Sequence, residues 1–343
     1  MAHGAGGILM QRLIKDYVLR YFKGGSFEVP LEALDDAAVV NGIVFKSDSH
    51  TVKPLFFPGG DIGRLAVSGT VNDIAVLGAK PIALSMGLVL EEGFPLKDVE
   101  RILKSMNETC LEAGVHIVTG DTKVVEKGCL EGCIINTSGI GIRTEELEIN
   151  LQIVRRYRRL DSRWILDSNL RPGDKIIISG SIGDHGLAIL SSREGYGFSS
   201  HISSDVKPLN KLISRILKVG GITAMKDPTR GGLSNALHEW KEKSNVGIYI
   251  REEAIPIRQD VKAACEMLGI DPMNVGNEGK ILISVVPQKA EEVLEELRRT
   301  EEGKEAQIIG EATADFNEVV LETLVGGKRI ISAPLGDPIP RIC

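Results

Sequence analysis

No apolar run in the 343-residue sequence approaches the roughly 18 residues that a membrane span needs, so a soluble protein is expected. The opening Met1-Ala2-His3-Gly4-Ala5-Gly6-Gly7 has neither the basic start nor the apolar stretch of a secretory signal, which predicts a cytoplasmic location. A net charge of -6 provides no basic footprint for nucleic acid. There is no Gly-x-x-x-x-Gly-Lys-Ser/Thr loop, and no strand leads into a Gly-x-Gly-x-x-Gly turn, so any phosphate chemistry must use other residues.

Cysteine is scarce and odd in number, five in all, which argues against a disulfide framework. Cys110 falls on the apolar stripe Val99, Ile102, Leu103, Met106, Cys110, Ala113 of one predicted helix, and Cys265 on Val261, Ala264, Cys265, Leu268 of another. Both read as inert core thiols. Cys129 and Cys133 open a strand-like segment, where their spacing puts them on one face but about 13 Å apart, too far for a bridge. A metal there would want further ligands nearby. Cys343 differs because nothing follows it.

The length favours two domains, and 43% hydrophobic with 26% charged residues is ordinary for a globular chain. Short β-rich runs alternate with amphipathic helices, the pattern of an α/β or α+β protein. Strands are predicted over 42–48, 82–90, 116–119, 134–142, 175–179 and 280–286. Helices are predicted over 8–22, 62–77, 96–113, 207–219, 233–243, 261–268 and 289–300. Charge rises and periodicity fades over 144–171, placing the seam there: an N-terminal domain over 1–150, a linker over 151–170 and a C-terminal domain over 171–331. Arg155-Arg156-Tyr157-Arg158-Arg159 in that seam reads as a solvated basic face. Residues 332–343, with Pro334, Pro338, Pro340 and Gly336, are too broken for helix or central strand and predict an extended arm.

Two glycine-rich turns open directly into helices: His3-Gly4-Ala5-Gly6-Gly7, and Asp227-Pro228-Thr229-Arg230-Gly231-Gly232. Each offers backbone N–H groups and a positive helix end to an anion, and the second adds the fork of Arg230. Acidic residues recur beside short apolar runs: Asp35 and Asp36, Asp48, and Asp121. Asn72 and Asp73 lie inside an otherwise small, apolar helix, where burial without partners is costly. Carboxylates shared with phosphate oxygens are what Mg²⁺ prefers. Helix caps and turn aspartates account equally well for any one of these residues.

Taken together, these motifs resemble a known family. They are His3-Gly4-Ala5-Gly6-Gly7, Asp35-Asp36-Ala37-Ala38, Asp48-Ser49-His50-Thr51-Val52-Lys53-Pro54, Asn72-Asp73-Ile74-Ala75-Val76-Leu77-Gly78-Ala79, Gly120-Asp121-Thr122-Lys123, Gly183-Asp184-His185-Gly186, Asp227-Pro228-Thr229-Arg230-Gly231-Gly232, Asn277-Glu278-Gly279-Lys280 and Pro340-Arg341-Ile342-Cys343. The pattern is similar to HypE, the carbamoyl dehydratases of nickel-iron hydrogenase maturation. The Asp and Gly motifs are shared with the wider PurM-like superfamily of aminoimidazole ribonucleotide synthetase, whereas the Pro-Arg-Ile-Cys end is peculiar to HypE.

The resemblance implies a two-domain PurM-like fold whose N-terminal sheet forms a barrel across a homodimer, with a C-terminal α/β domain and a flexible tail. It implies ATP and Mg²⁺ held by Gly4, Gly6, Asp36, Asp48, Asn72, Asp73, Asp121, Asp227 and Arg230, with Asp36, Asp48, Asp73 and Asp121 toward the metal. It assigns Cys343 as the carrier of a carbamoyl group and Glu278 with Lys123 as the base pair, His50 and His185 having supporting roles. It further implies a HypF-type carbamoyltransferase that loads Cys343 and an iron-carrying HypC–HypD-type scaffold that receives the product. The twelve tail residues could span about 37 Å in polyproline geometry, enough to swing between an outside enzyme and an inside pocket. Another PurM-like activity, such as thiamine-monophosphate kinase or selenide water dikinase, would need no terminal thiol, and a non-enzymatic thiol scaffold would leave the acidic residues and Glu278 without a task.

Overall fold

The computed structural model describes residues 2–4, 6–22, 25–195, 202–336, 338–339 and 342–343, so Ala5, Pro340 and Arg341 of the motifs lie outside the described residues. Helix α1 (Gly7–Leu13) widens into a π-helical turn (Ile14–Val18) instead of running regularly to residue 22. Strands β1 (Ala38–Val40) and β2 (Ile43–His50) follow, then a small hairpin of β3 (Phe56–Phe57) and β4 (Gly60–Asp61). Asp61 also caps helix α2 (Ile62–Val76), its carboxylate accepting from the N–H groups of Gly63 and Arg64 at 2.8 and 3.0 Å. Strand β5 (Lys80–Glu91), helix α3 (Leu96–Ala113) and strands β6 (Ile117–Val125) and β7 (Cys133–Ile142) complete this half.

Its five strands run in the order β1-β2-β7-β5-β6, with β5 and β6 parallel. Glycine lets α2 lie close on the sheet: a Cβ at Gly139 of β7 would stand 2.6 Å from Ile74. Period-two alternation puts Val44, Lys46, Asp48 and His50 of β2 on one face. The opposite face exposes the cross-strand pairs Ile43–Ile142 and Phe45–Ile140.

The stretch over 144–171 is not an open linker. Thr144 accepts from the N–H of Leu147 at 3.1 Å and starts helix α4 (Glu145–Tyr157), whose Leu147, Leu151 and Val154 are buried. The charge that obscured its periodicity is acidic in the first turn and basic in the last, matching the helix dipole. Asn150 pairs through both ends of its amide with the backbone of Ile222, at 2.8 and 2.7 Å. Arg158 is no solvated residue: it forms an ion pair with buried Asp174 and donates to the carbonyl of Asn169 at 2.8 Å.

The C-terminal half consists of β8 (Lys175–Ile178), α5 (Asp184–Glu194), α6 (Asn210–Val219), β9 (Ile222–Lys226), α7 (Gly232–Ser244), β10 (Gly247–Arg251), α8 (Gln259–Leu268), β11 (Leu282–Val285), α9 (Ala290–Arg298), β12 (Gln307–Thr313), β13 (Val319–Glu322) and β14 (Lys328–Ile330). Its seven strands run in the order β14-β13-β10-β12-β8-β11-β9. Helix α5 and strands β9, β10, β12, β13 and β14 were not expected from the pattern. α5 opens on glycine and is buried along most of its length, which erases an amphipathic signal. Cys110, Cys133 and Cys265 are buried, and burial pushes each thiol up to about 11; Cys129 is exposed. Among the described residues no helix is long and apolar enough to cross a membrane.

Candidate active site

A cavity of about 650 Å³ opens between the two halves, within the range that holds a nucleotide-sized ligand. Asp36, Asp48, Asp73, Asp227, Arg230, Glu278 and Cys343 all line it. One carboxylate oxygen from each of Asp36, Asp73 and Asp227 lies within 4.8 Å of the others. Three carboxylates this close, Asp73 and Asp227 buried and Asp36 half-buried, suit a hard cation. Burial, followed by the other two carboxylates, pushes Asp227 well above the usual range, and burial lifts Asp73 to about 7 against the pull of Lys46.

Two lysines unmarked in the sequence hold this cluster together. Lys46 Nζ lies 2.7 Å from Asp73, while Lys226 lies 2.6 Å from Asp36, 3.0 Å from Asp167 and 3.1 Å from Glu239. Asp167 comes from the supposed linker and also takes Lys243 at 2.7 Å and the indole N–H of Trp240 at 2.7 Å. Burial alone would raise it, but Lys226 and Lys243 outweigh burial and keep its carboxyl at about 2. The one available signal was alternation, which places Lys46 on the face of β2 shared with Asp48.

Glu278 is buried, and its Oε1 has no hydrogen-bond partner among the described residues. Burial, then Asp227, Asp205 and Asp48, drives its pKa well above that of an ordinary carboxylate. Its loop is fixed from three sides. Asn277 receives the N–H of Gly183 at 2.7 Å and donates its own N–H to Pro228 at 3.0 Å; Asp205 accepts the N–H of Glu278 at 3.0 Å. Arg230 faces Cys343 first, and beyond the opposing effect of burial it faces Asp48, Glu278 and Asp73; together these anionic groups hold its proton more tightly than usual.

Several expected residues are placed elsewhere. Asn72 is a strut, not a ligand: its amide donates to Lys207 O at 3.1 Å and accepts from Leu209 N at 2.7 Å, bracing the segment beside Glu278. Asp121 and Lys123 pair with each other at 3.5 Å on exposed β6, away from the cavity. Three strand spacings, about 14 Å, separate β6 from β2 in the same sheet, which sets them apart from Asp48, and neither lines the cavity that holds Glu278. Gly4 is exposed and does not line the cavity. Gly6 has φ 75°, and a Cβ there would stand 2.9 Å from that of Arg230, so it lets the first turn lie against the arginine. The N–H groups of Ile8 and Leu9, expected to face phosphate, donate instead to the carbonyls of Pro334 and Leu335 at 3.0 and 3.4 Å.

Models for AIR synthase related proteins match the chain over 34–143 for the N-terminal domain and 171–322 for the C-terminal domain. The carbamoyl dehydratase HypE of Azotobacter vinelandii is 44% identical, across 100% of this chain and 96% of its own length. The chain belongs to the HypE family. The fold is PurM-like, and HypE crystal structures share it closely. That of a HypE–HypF complex superposes with a TM-score of 0.85 at 45% identity, over 94% of this chain and 99% of the other. A HypE bound to ATP superposes with a TM-score of 0.80 at 42% identity, over 98% of each chain.

Proposed function

We propose that this protein is an ATP-dependent carbamoyl dehydratase whose substrate is a carbamoyl group carried on its own Cys343. One observation carries the reading: Cys343 lies in the same cavity as Arg230, Glu278 and the acidic cluster. A thiocarboxamide, Cys–S–C(=O)–NH₂, loses its oxygen only when that oxygen leaves as a good group. Its oxygen attacks the γ-phosphorus of ATP, a new O–P bond forms, the bond to the bridging oxygen breaks and ADP departs. One N–H proton is released as the imidate phosphate forms. Glu278 takes the remaining N–H proton, the C–O bond breaks, phosphate leaves and the thiocyanate Cys–S–C≡N remains. A buried carboxylate oxygen without a hydrogen-bond donor, as Oε1 of Glu278 is among the described residues, is a strong proton acceptor once ionised.

Asp36, Asp73 and Asp227 fit Mg²⁺ by donor type and spacing, and they would hold it with Asp48 alongside. When bound, the ion supplies positive charge to the phosphate oxygens. Arg230 adds a guanidinium to the same space. The exposed apolar face of the N-terminal sheet, with Ile43, Phe45, Ile140 and Ile142, supports a homodimer in which a second copy covers it. A second copy is also the route by which Asp121 and Lys123 could reach a site. The likeness to a HypE crystallised with HypF supports a HypF-type carbamoyltransferase as the loading partner. A HypC–HypD-type scaffold as acceptor, a mobile tail and a cytoplasmic setting complete the reading.

The test is an intact-mass measurement on protein carbamoylated at Cys343, before and after Mg-ATP. Loss of one water mass with release of ADP and phosphate is expected. An unchanged mass on folded, ATP-binding protein would overturn the proposal.

A further inference from the structure

The described tail residues do not lie loosely against the protein. Ile339 and Ile342 are both buried in the apolar cluster that α2 and α3 share with α5 and α8. The side chain of Ile342 occupies a notch that exists because residue 276 is glycine: a Cβ there would collide with its Cδ1. Gly186 opens similar room, with Ile339 3.3 Å from where a Cβ would stand. Beside that notch, fully buried His185 holds the backbone carbonyl of Ile342 with its Nε2 at 2.8 Å.

The hydrogen-bond chemistry sets the tautomer of this histidine. A carbonyl oxygen only accepts, so Nε2 carries the proton and donates it. Nδ1 is then the acceptor, and it sits 2.7 Å from the hydroxyl of Ser204. That hydroxyl accepts the N–H of Val206 at 3.1 Å, which leaves its own hydrogen for Nδ1. Ser204 is held in turn by its N–H to Pro58 O at 2.8 Å, and Phe57 packs edge-on against the imidazole with ring centroids 5.6 Å apart. Burial lowers the pKa of His185, against the smaller pull of Asp205 and of the Ile342 carbonyl, and favours the neutral ring that this relay requires.

We infer that His185, oriented by Ser204, is the positioning residue that sets the register of the tail, gripping the carbonyl of Ile342 while the Gly276 notch takes its side chain. This rests on the reading of Cys343 as the carrier. The grip acts one residue before the thiol and touches only backbone and an aliphatic side chain. It therefore places the sulfur without reading what the sulfur carries, so bare and loaded tails dock alike.

The test measures docking and chemistry separately. In a Cys129→Ser background, alkylation of Cys343 by a pulse of iodoacetamide is followed by the mass of the C-terminal peptide, without ATP. Removing the donor leaves a buried carbonyl unsatisfied, so His185→Ala should speed alkylation about tenfold or more. Ile342→Ala should speed it as well, and His185→Gln, which keeps an N–H donor, should restore much of the protection. On carbamoylated protein, His185→Ala should lower the first-order dehydration rate by a similar factor while the KM for ATP stays unchanged. If His185→Ala does not fold, Ile342→Ala and Ser204→Ala test the same grip. Alkylation within twofold of wild type in folded, ATP-binding variants would overturn the inference. Protected Cys343 together with no loss of water from carbamoylated protein would instead sink the carrier reading and leave the grip intact.

Discussion

Replacing Asp227 by asparagine should make the ligand-free protein more stable at pH 8 while removing its response to Mg-ATP. An oxygen of Asp227 lies within 4.8 Å of one from Asp36 and one from Asp73. Two unit charges at that distance repel by about 3.5 kcal/mol in an effective dielectric of about 20. Lys226 and Lys46 cancel part of the charge on Asp36 and Asp73, but among the described residues Asp227 has no ion-pair partner of its own. A net gain of about 3 kcal/mol is therefore expected, close to one unscreened repulsion.

The pH dependence fixes the sign. The folded state raises the pKa of Asp227 above its unfolded value of 3.8, so folded protein binds the proton more tightly. The penalty is absent below that unfolded value, grows by about 1.4 kcal/mol per pH unit above it, and levels off once the folded pKa is passed. Asparagine matches the protonated carboxyl in shape, so the two proteins should be equally stable near pH 4. Thermal unfolding without magnesium should then show the variant about 4 °C higher at pH 8. Mg-ATP at one hundred times its dissociation constant should stabilise wild type by about 2.7 kcal/mol and the variant by little. A variant that melts below wild type at pH 8 without magnesium, or whose advantage does not grow between pH 4 and pH 8, would refute the electrostatic account of the cluster.

Glu278→Gln should bind ATP and the tail normally yet slow dehydration by about 10²- to 10⁴-fold, measured by single-turnover mass spectrometry. In wild type the same rate should rise with pH through a midpoint above the ordinary glutamate range, because burial and then Asp227 raise the pKa of Glu278; a midpoint near 4.5 would count against Glu278 as the base. Lys226→Met leaves Asp36, Asp167 and Glu239 without their shared cation and should cost about 3–5 kcal/mol in urea unfolding at pH 8, and a loss below 1 kcal/mol would show that the network contributes little. Arg158→Met strips buried Asp174 of its ion pair and should cost about 3 kcal/mol, whereas a solvated arginine would cost almost nothing.

What could be read in the sequence was local. Helices α2 and α3 follow from apolar spacing and closing glycines, and the buried Asn72 and Asp73 follow from a polar pair inside an apolar helix. Short β-rich runs were enough for β2, β5 and β7. What escaped depends on partners distant in sequence. Asp73 and Asp227 are 154 residues apart, and nothing local to either announces the other. Asn72 and Asp73 look alike as neighbours, yet a helix turns adjacent side chains about 100° apart, so one faces the cavity and the other braces a loop. The charges of α4 looked like a disordered join because helix-dipole patterning and linker composition use the same residues. Asp121 and Lys123 carry a family motif, but strand order, which no short window encodes, sends them to the far edge of the sheet.

The seam between α1 and Pro334 has a consequence for reach. With the carbonyls of Pro334 and Leu335 tied to the first helix, the whole twelve-residue arm is not available to swing. While that tie holds, the chain beyond Leu335 has eight residues, a leash of about 25 Å in polyproline geometry instead of about 37 Å. Any enzyme that loads the thiol must then bring its own active centre to the rim of the cavity. The loading partner should accordingly grip the surface near α1, and the geometry of delivery becomes a property of that docked pair more than of the tail alone.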